Sequence, residues 1–66
     1  MRNYYTLFVL DTDTETWHNE FGAYTQKECK EEIYHSFPYT KKKHTYIHFG
    51  DGTKEEIQKV SKELNS

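Results

Sequence analysis

The sequence predicts a small α+β domain of order ββαβα, in which a three-stranded sheet of strand order 2-1-3 carries both helices on one face. Three observations predict this fold. Segments around residues 4–10, 16–24 and 44–49 are rich in aromatic and β-branched residues, as strands are. Two Thr-x-x-Glu sequences mark helix starts. The chain has 66 residues, which fits a single domain spanning residues 1–66.

The first two strands are predicted to form a hairpin. Residues 4–10 are apolar on both alternating faces, a pattern typical of a central strand that is covered on both sides. A short polar loop, residues 11–15, separates them from residues 16–24, so an antiparallel pairing is favoured.

The first helix is predicted to follow the capping box from Thr25 to Glu28. Cys29, Ile33 and Phe37 recur every four residues and form one apolar stripe. The helix should end at Phe37, because the residue before a proline is pushed away from helical angles.

The third strand, residues 44–49, and the second helix complete the fold. A right-handed crossover through the first helix lays the third strand parallel to the second, with the first strand between them and antiparallel to both. The turn at residues 50–52 leads to a second capping box, Thr53 to Glu56. The apolar stripe of this helix consists of Ile57, Val60 and Leu64.

With both helices on one face, the other face of the sheet is predicted to be open and lined by aromatic rings. A monomer rarely leaves such a patch uncovered, so we expect a homodimer interface or a docking surface for another protein. The alternative is that residues 38–43 or the N-terminus cover it. The predicted patch consists of Tyr4, Phe8, Tyr24, His44, Tyr46 and His48. The face towards the helices is predicted to carry Trp17, Phe21, Ala23 and Phe49, among others.

A second hypothesis is single-stranded nucleic-acid binding. Bases could stack on the same rings while Lys41, Lys42 and Lys43 contact phosphates. The net charge of −2 argues against it, because such affinity depends strongly on positive charge. A third possibility is an acidic surface on the helices that imitates nucleic acid towards a partner. Its residues would be Glu28, Glu31, Glu32, Glu55, Glu56 and Glu63, but lysines are interspersed among them.

Catalysis, metal binding and cofactor binding are not expected. His44 and His48 lie about 13 Å apart in an extended strand, too far to share one ion. Cys29 with His18 or His35 is the only pairing that resembles a catalytic nucleophile and base. Cys29 lies on the apolar stripe of the first helix, however, so we expect it to pack in the core.

The composition indicates a soluble protein of a reducing compartment. The longest apolar run has four residues, 7–10, whereas a membrane span needs roughly 20. No signal peptide is recognisable, and a single cysteine excludes an internal disulfide. We therefore expect a cytoplasmic protein that does not bind membranes. A domain this small without disulfides often gains stability by self-association.

The first half of the chain resembles small uncharacterised proteins encoded by bacteriophages and prophages. The resemblance rests on Tyr4-Tyr5-Thr6-Leu7, on Trp17 and on Phe21-Gly22-Ala23-Tyr24, a YYTL…W…FGxY pattern. It implies a phage-derived accessory protein in the bacterial host cytoplasm and assigns no role to any residue. Phage proteins of this size often bind and block a host protein, as anti-CRISPR and other counter-defence inhibitors do. The expected function is therefore a non-enzymatic protein-binding module.

Overall fold

The computed structural model describes residues 3–66. The elements are β1 (Tyr4–Asp11), β2 (Thr16–Ala23), α1 (Gln26–Ser36), a short 3-10 turn (Lys42–His44), β3 (Thr45–Gly50) and α2 (Lys54–Leu64). The strand order is β2-β1-β3, and β1 is antiparallel to both neighbours. The predicted α+β class, element order and strand order are confirmed.

Both helices begin at the predicted threonine caps. The Thr25 hydroxyl accepts a hydrogen bond from the Glu28 amide at 3.2 Å, and the Thr53 hydroxyl accepts one from the Glu56 amide at 3.3 Å. At the other end of α1, the Phe37 amide donates the last helical bond, and Pro38 follows directly. Local sequence therefore sets the helix boundaries.

The main core lies between α1 and one face of the sheet. On this face, Leu7, Val9 and Ala23 pack with Cys29 of α1 in a buried cluster. Burying the side chains of Leu7 and Val9 contributes about 1.5–3 kcal/mol each. Partly buried neighbours complete the cluster: Tyr5, Phe21, Ile33, Phe37 and Ile47.

The second helix lies on the opposite face of the sheet. The carboxylate of Glu56 in α2 is 3.3 Å from Nε2 of His48, which pairs across the sheet with Thr6. Neighbouring residues of a strand point to opposite faces, so Thr6 and His48 lie on the side away from Leu7 and α1. The predicted placement of both helices on one face is therefore wrong.

The physical reason is the amphipathic character of both helices combined with the two apolar faces of β1. Leu7 and Phe8 point in opposite directions and are both fully buried, so each face needs its own cover. The result is three layers: α1, the sheet and α2. The dimensions, 34 × 27 × 14 Å, agree with three layers on a sheet only three strands wide.

A β-bulge in the hairpin changes which residues of β2 face each helix. Leu7 pairs with Phe21 but Phe8 pairs with Asn19, so Glu20 is the extra residue. Phe21 consequently faces α1, whereas Trp17, opposite Leu10, faces α2. The predicted placement of Trp17 on the same face as Phe21 is wrong because a regular strand was assumed.

Candidate functional site

Three members of the predicted aromatic patch are covered by the chain's own segments. Phe8 is fully buried, and the side chain of His48 is only 19% exposed beneath Glu56. Tyr4 is partly buried, and its ring occupies the space that a side chain at Gly22 or Gly52 would need. The predicted open face does not exist, because α2 occupies it.

The remaining members of that patch do not form one surface. Tyr24 is 62% exposed and follows β2, where its ring meets Tyr4 edge-on at 5.2 Å. Tyr46 is 43% exposed and lies on β3, on the other side of β1. His44 is partly buried in the turn before β3. The structure thus separates Tyr24 from Tyr46 and His44.

The outer edge of β3, residues 45–50, is the strongest candidate for a binding site, and we call it the β3 edge. Within residues 3–66, β3 pairs with β1 alone, so its other side has no strand partner. Tyr46 projects towards the layer of α2, and Phe49, 50% exposed, projects towards the layer of α1 beside the Tyr5 ring at 5.0 Å. The β3 edge therefore presents one partly exposed aromatic ring on each face of the sheet.

The opposite edge of the sheet, along β2, is closed to further strands. The side-chain amide of Asn65 accepts a hydrogen bond from the Trp17 N–H at 2.6 Å and donates one to the Trp17 carbonyl at 3.2 Å. The bulge at Glu20 distorts the same edge further along. Clamps, bulges and charges are the devices that prevent strand pairing at an edge. The β3 edge, Thr-Tyr-Ile-His-Phe-Gly, carries neither a bulge nor a Lys, Glu, Asp or Pro.

The charges at the two ends of the β3 edge are opposite in sign. Lys41, Lys42 and Lys43 precede the strand, and Asp51 follows it. Residues 33–50 contain these three lysines and no Asp or Glu, a formal charge of +3, so the rest of the chain carries −5 of the total of −2. The β3 edge therefore has a charge direction, positive before the strand and negative after it.

The turn at the acidic end of the β3 edge is fixed by Glu56. Its carboxylate accepts hydrogen bonds from the Asp51 amide at 2.7 Å and the Gly52 amide at 3.2 Å. These bonds and the neighbouring His48 lower the pKa of Glu56, with the Asp51 amide as the largest cause. Glu56 was predicted to belong to an outward acidic surface; it points instead to the end of β3.

Two exposed tyrosines escaped prediction. Tyr34 is 80% exposed on α1 and Tyr39 is 98% exposed in the loop after the helix. Shallow clefts of about 450 and 350 Å³ meet at Thr40, the first lined by Tyr34 with Lys30 and the second by Tyr39 with Lys41. The sequence held a signal, since Tyr34 lies beside the apolar stripe of α1 and Tyr39 lies outside any periodic element.

Cys29 is a core residue, as predicted. It is fully buried, and its Sγ atom lies 3.6 Å from the carbonyl oxygen of Tyr5. Burial raises the pKa of the Cys29 thiol, and the nearby carboxylate of Glu28 raises it further. The thiol is therefore protonated and shielded at neutral pH. Among residues 3–66, no three His, Cys, Asp or Glu side chains are grouped so that they could hold a metal ion.

Comparisons of the chain with protein-family models, with curated proteins and with solved structures found no match. Within residues 3–66, no helix has both the length and the apolar character that crossing a membrane requires. The geometry of the β3 edge is accordingly the basis on which a function is proposed.

Proposed function

We propose that the protein is a non-enzymatic protein-binding module that accepts an extended segment of a partner protein as a fourth strand along the β3 edge. The observation that carries this proposal is the strand's unpaired side, with Tyr46 and Phe49 partly exposed on opposite faces. Main-chain hydrogen bonds supply affinity in this mode of recognition, and alternating side chains supply specificity.

The two rings supply the apolar part of the binding energy. Covering the exposed halves of Tyr46 and Phe49 removes on the order of 100 Å² of surface each, or about 2–3 kcal/mol per ring. The strand hydrogen bonds must supply the rest, because association first has to offset lost translational and rotational freedom.

The nature of the partner follows from the resemblance of the first half of the chain to phage and prophage proteins. That resemblance favours a host protein in the bacterial cytoplasm as the partner, and blocking of that protein as the outcome. Counter-defence inhibitors, including those directed against CRISPR systems, act in this way.

The test uses two substitutions on the β3 edge and one matched control. Tyr46→Glu and Phe49→Lys put a charge where the added strand must pack, whereas Tyr34→Lys puts one on an exposed aromatic site of α1 away from that edge. We expect a host protein captured by the wild type and by Tyr34→Lys to be lost, at least tenfold, from both β3 variants. Hydrogen exchange with the purified partner should then show new protection of amides in residues 45–50.

Equal capture by all four proteins would overturn the proposal, as would protection confined to α1 or to β2. Circular dichroism of each variant establishes that it is folded. Since all three substituted rings are at least 43% exposed, the substitutions leave the buried core intact.

A second candidate function, single-stranded nucleic-acid binding, is favoured by one observation. Tyr39, almost fully exposed, shares a cleft with Lys41, and residues 33–50 lack acidic side chains. This arrangement differs from the predicted one, since the stacking ring lies in the loop and not on the sheet.

Replacing Lys41, Lys42 and Lys43 by Ala tests the second candidate. If bases stack on Tyr39 while the lysines contact phosphates, the triple variant should bind single-stranded DNA or RNA more weakly and with a flatter salt dependence. The measurement is fluorescence anisotropy with a labelled oligonucleotide at low salt. Absence of wild-type binding under these conditions would exclude this function.

A further inference from the structure

We propose that the β3 edge binds a second copy of the same chain, with the two β3 strands antiparallel about a twofold axis through Ile47. This inference rests on the proposed function, because it uses the same edge: β3 has one unpaired side, so a second copy and a host segment compete for it. Three features of the molecule favour a second copy: the charges along the edge, the register of its side chains and the closure of the resulting sheet.

The charges favour self-pairing because the edge is basic where it begins and acidic where it ends. An antiparallel arrangement places the start of one strand beside the end of the other. With the axis at Ile47, Lys43 of one copy and Asp51 of the other lie at the same end of the paired strands, Lys43 in the 3-10 turn before β3 and Asp51 directly after β3. Both side chains are exposed, and the symmetric dimer contains this pair twice.

The register about Ile47 also gives matching side-chain pairs on both faces. Directly opposite residues of antiparallel strands project to the same face. Tyr46 therefore meets His48 of the other copy on the side of α2, extending a ring contact of 6.5 Å that exists within each chain. On the side of α1, Phe49 meets Thr45, an aromatic beside a β-branched residue, which is a favourable cross-strand pair.

Such pairing produces a closed assembly. The sheet would run β2-β1-β3-β3-β1-β2 across two copies, and its two outer edges would both be β2. Each β2 edge is clamped by Asn65 and distorted at Glu20, so a third copy has no edge to join. A chain with one open edge and one closed edge is therefore expected to form a dimer and no larger assembly.

The decisive experiment reverses each of the two charges in a separate variant and then mixes the two variants. Lys43→Glu alone places two like-charged pairs in its homodimer, and Asp51→Lys alone does the same with positive charge. We expect each single variant to raise the dimer dissociation constant by roughly tenfold in low salt. An equimolar mixture of the two should dimerise nearly as well as the wild type, because both pairs in the mixed dimer are again attractive.

Sedimentation velocity over a concentration series provides the readout, and Lys27→Glu, an exposed reversal on α1, is the control that should leave the dimer unchanged. A wild type that stays monomeric throughout the series would overturn self-pairing. A wild-type dimer that both single variants retain, or that mixing fails to restore, would overturn this register. The capture experiment with Tyr46→Glu decides the proposed function separately, because a monomer that binds a host protein at the β3 edge supports that function alone.

Discussion

At the scale of single residues, Glu56 shows how a side chain in the first turn of a helix can stabilise the turn that precedes the helix. The backbone amide of Glu56 binds the Thr53 hydroxyl in the usual way. Its carboxylate accepts from Asp51 and Gly52, so it stabilises the segment between β3 and α2. Gly52 contributes the positive φ of 74° that this turn requires. One side chain thereby links the end of the β3 edge to the first turn of α2.

Glu56→Gln should make the protein less stable at neutral pH and less sensitive to acid. Because the folded state lowers the pKa of Glu56, its contribution is present above the ordinary value of 4.5 and is lost as pH falls below it. Denaturant unfolding at pH 7 and at pH 3 should give a difference between wild type and variant that is larger at pH 7. Glu55→Gln, on the exposed side of the same turn, is the control.

A wild-type advantage that is the same at both pH values would contradict this account, because the stabilisation would then not depend on the ionised carboxylate.

At the scale of secondary-structure elements, the two edge strands differ in whether a further strand can pair with them. β2 is bulged at Glu20 and held by Asn65, whereas β3 is regular and uncharged. The backbone N–H and the backbone carbonyl of Trp17 both point away from β1. Without Asn65 they would be free to pair with a strand of another chain. The residue that follows α2 therefore both anchors the helix and protects a strand.

Asn65→Ala should destabilise the fold by about 1–3 kcal/mol, because two hydrogen bonds to the Trp17 backbone are lost. Chemical denaturation monitored by Trp17 fluorescence measures the change. Ser66→Ala removes a side-chain bond to the carbonyl of Glu63 within the same helix end and should cost less. Equal stability of the wild type and Asn65→Ala would show that the clamp contributes nothing.

At the scale of the whole molecule, stability and assembly are linked. Among residues 3–66, the fully buried large side chains are few: Thr6, Leu7, Phe8 and Cys29. A chain of 66 residues with so small an interior is marginally stable alone, and any association that favours the folded state raises its Tm. Self-pairing at the β3 edge would provide that stabilisation.

We therefore expect the Tm of the wild type to rise by about 5 °C or more over a hundredfold increase in protein concentration. Scanning calorimetry or a dye-free fluorescence melt across that range measures the shift. Tyr46→Glu should melt at a temperature that no longer depends on concentration. A wild-type Tm that is constant over the range would be inconsistent with dimer-linked stability.

Local features of the sequence determined what could be predicted and what could not. Threonine caps, Pro38 and the apolar stripe of α1 depend on neighbouring residues, so the elements and their order could be predicted. The bulge at Glu20 has no sequence signature, so Trp17 was predicted on the wrong face of the sheet. The two apolar faces of β1 did indicate that each face is covered by another element. The predicted placement of both helices on one face nevertheless left Phe8 uncovered.

The edge on which the proposed function rests was the least predictable feature. Tyr46 was placed on an exposed surface, and it is exposed, but beside an edge and not on an open face. Phe49 was assigned to the covered face, yet it remains half exposed because neither helix extends fully over β3. How far a helix reaches across a sheet depends on tertiary packing, which periodicity does not encode.

The position of α2 affects the order in which the protein folds during synthesis. Phe8 leaves the ribosome well before the helix that covers it, because that helix ends at residue 64. The hairpin and α1 can pack together on the nascent chain, while the second apolar face of β1 stays exposed to water until α2 has been synthesised. The packing between β1 and α2 therefore forms only after α2 has left the ribosome.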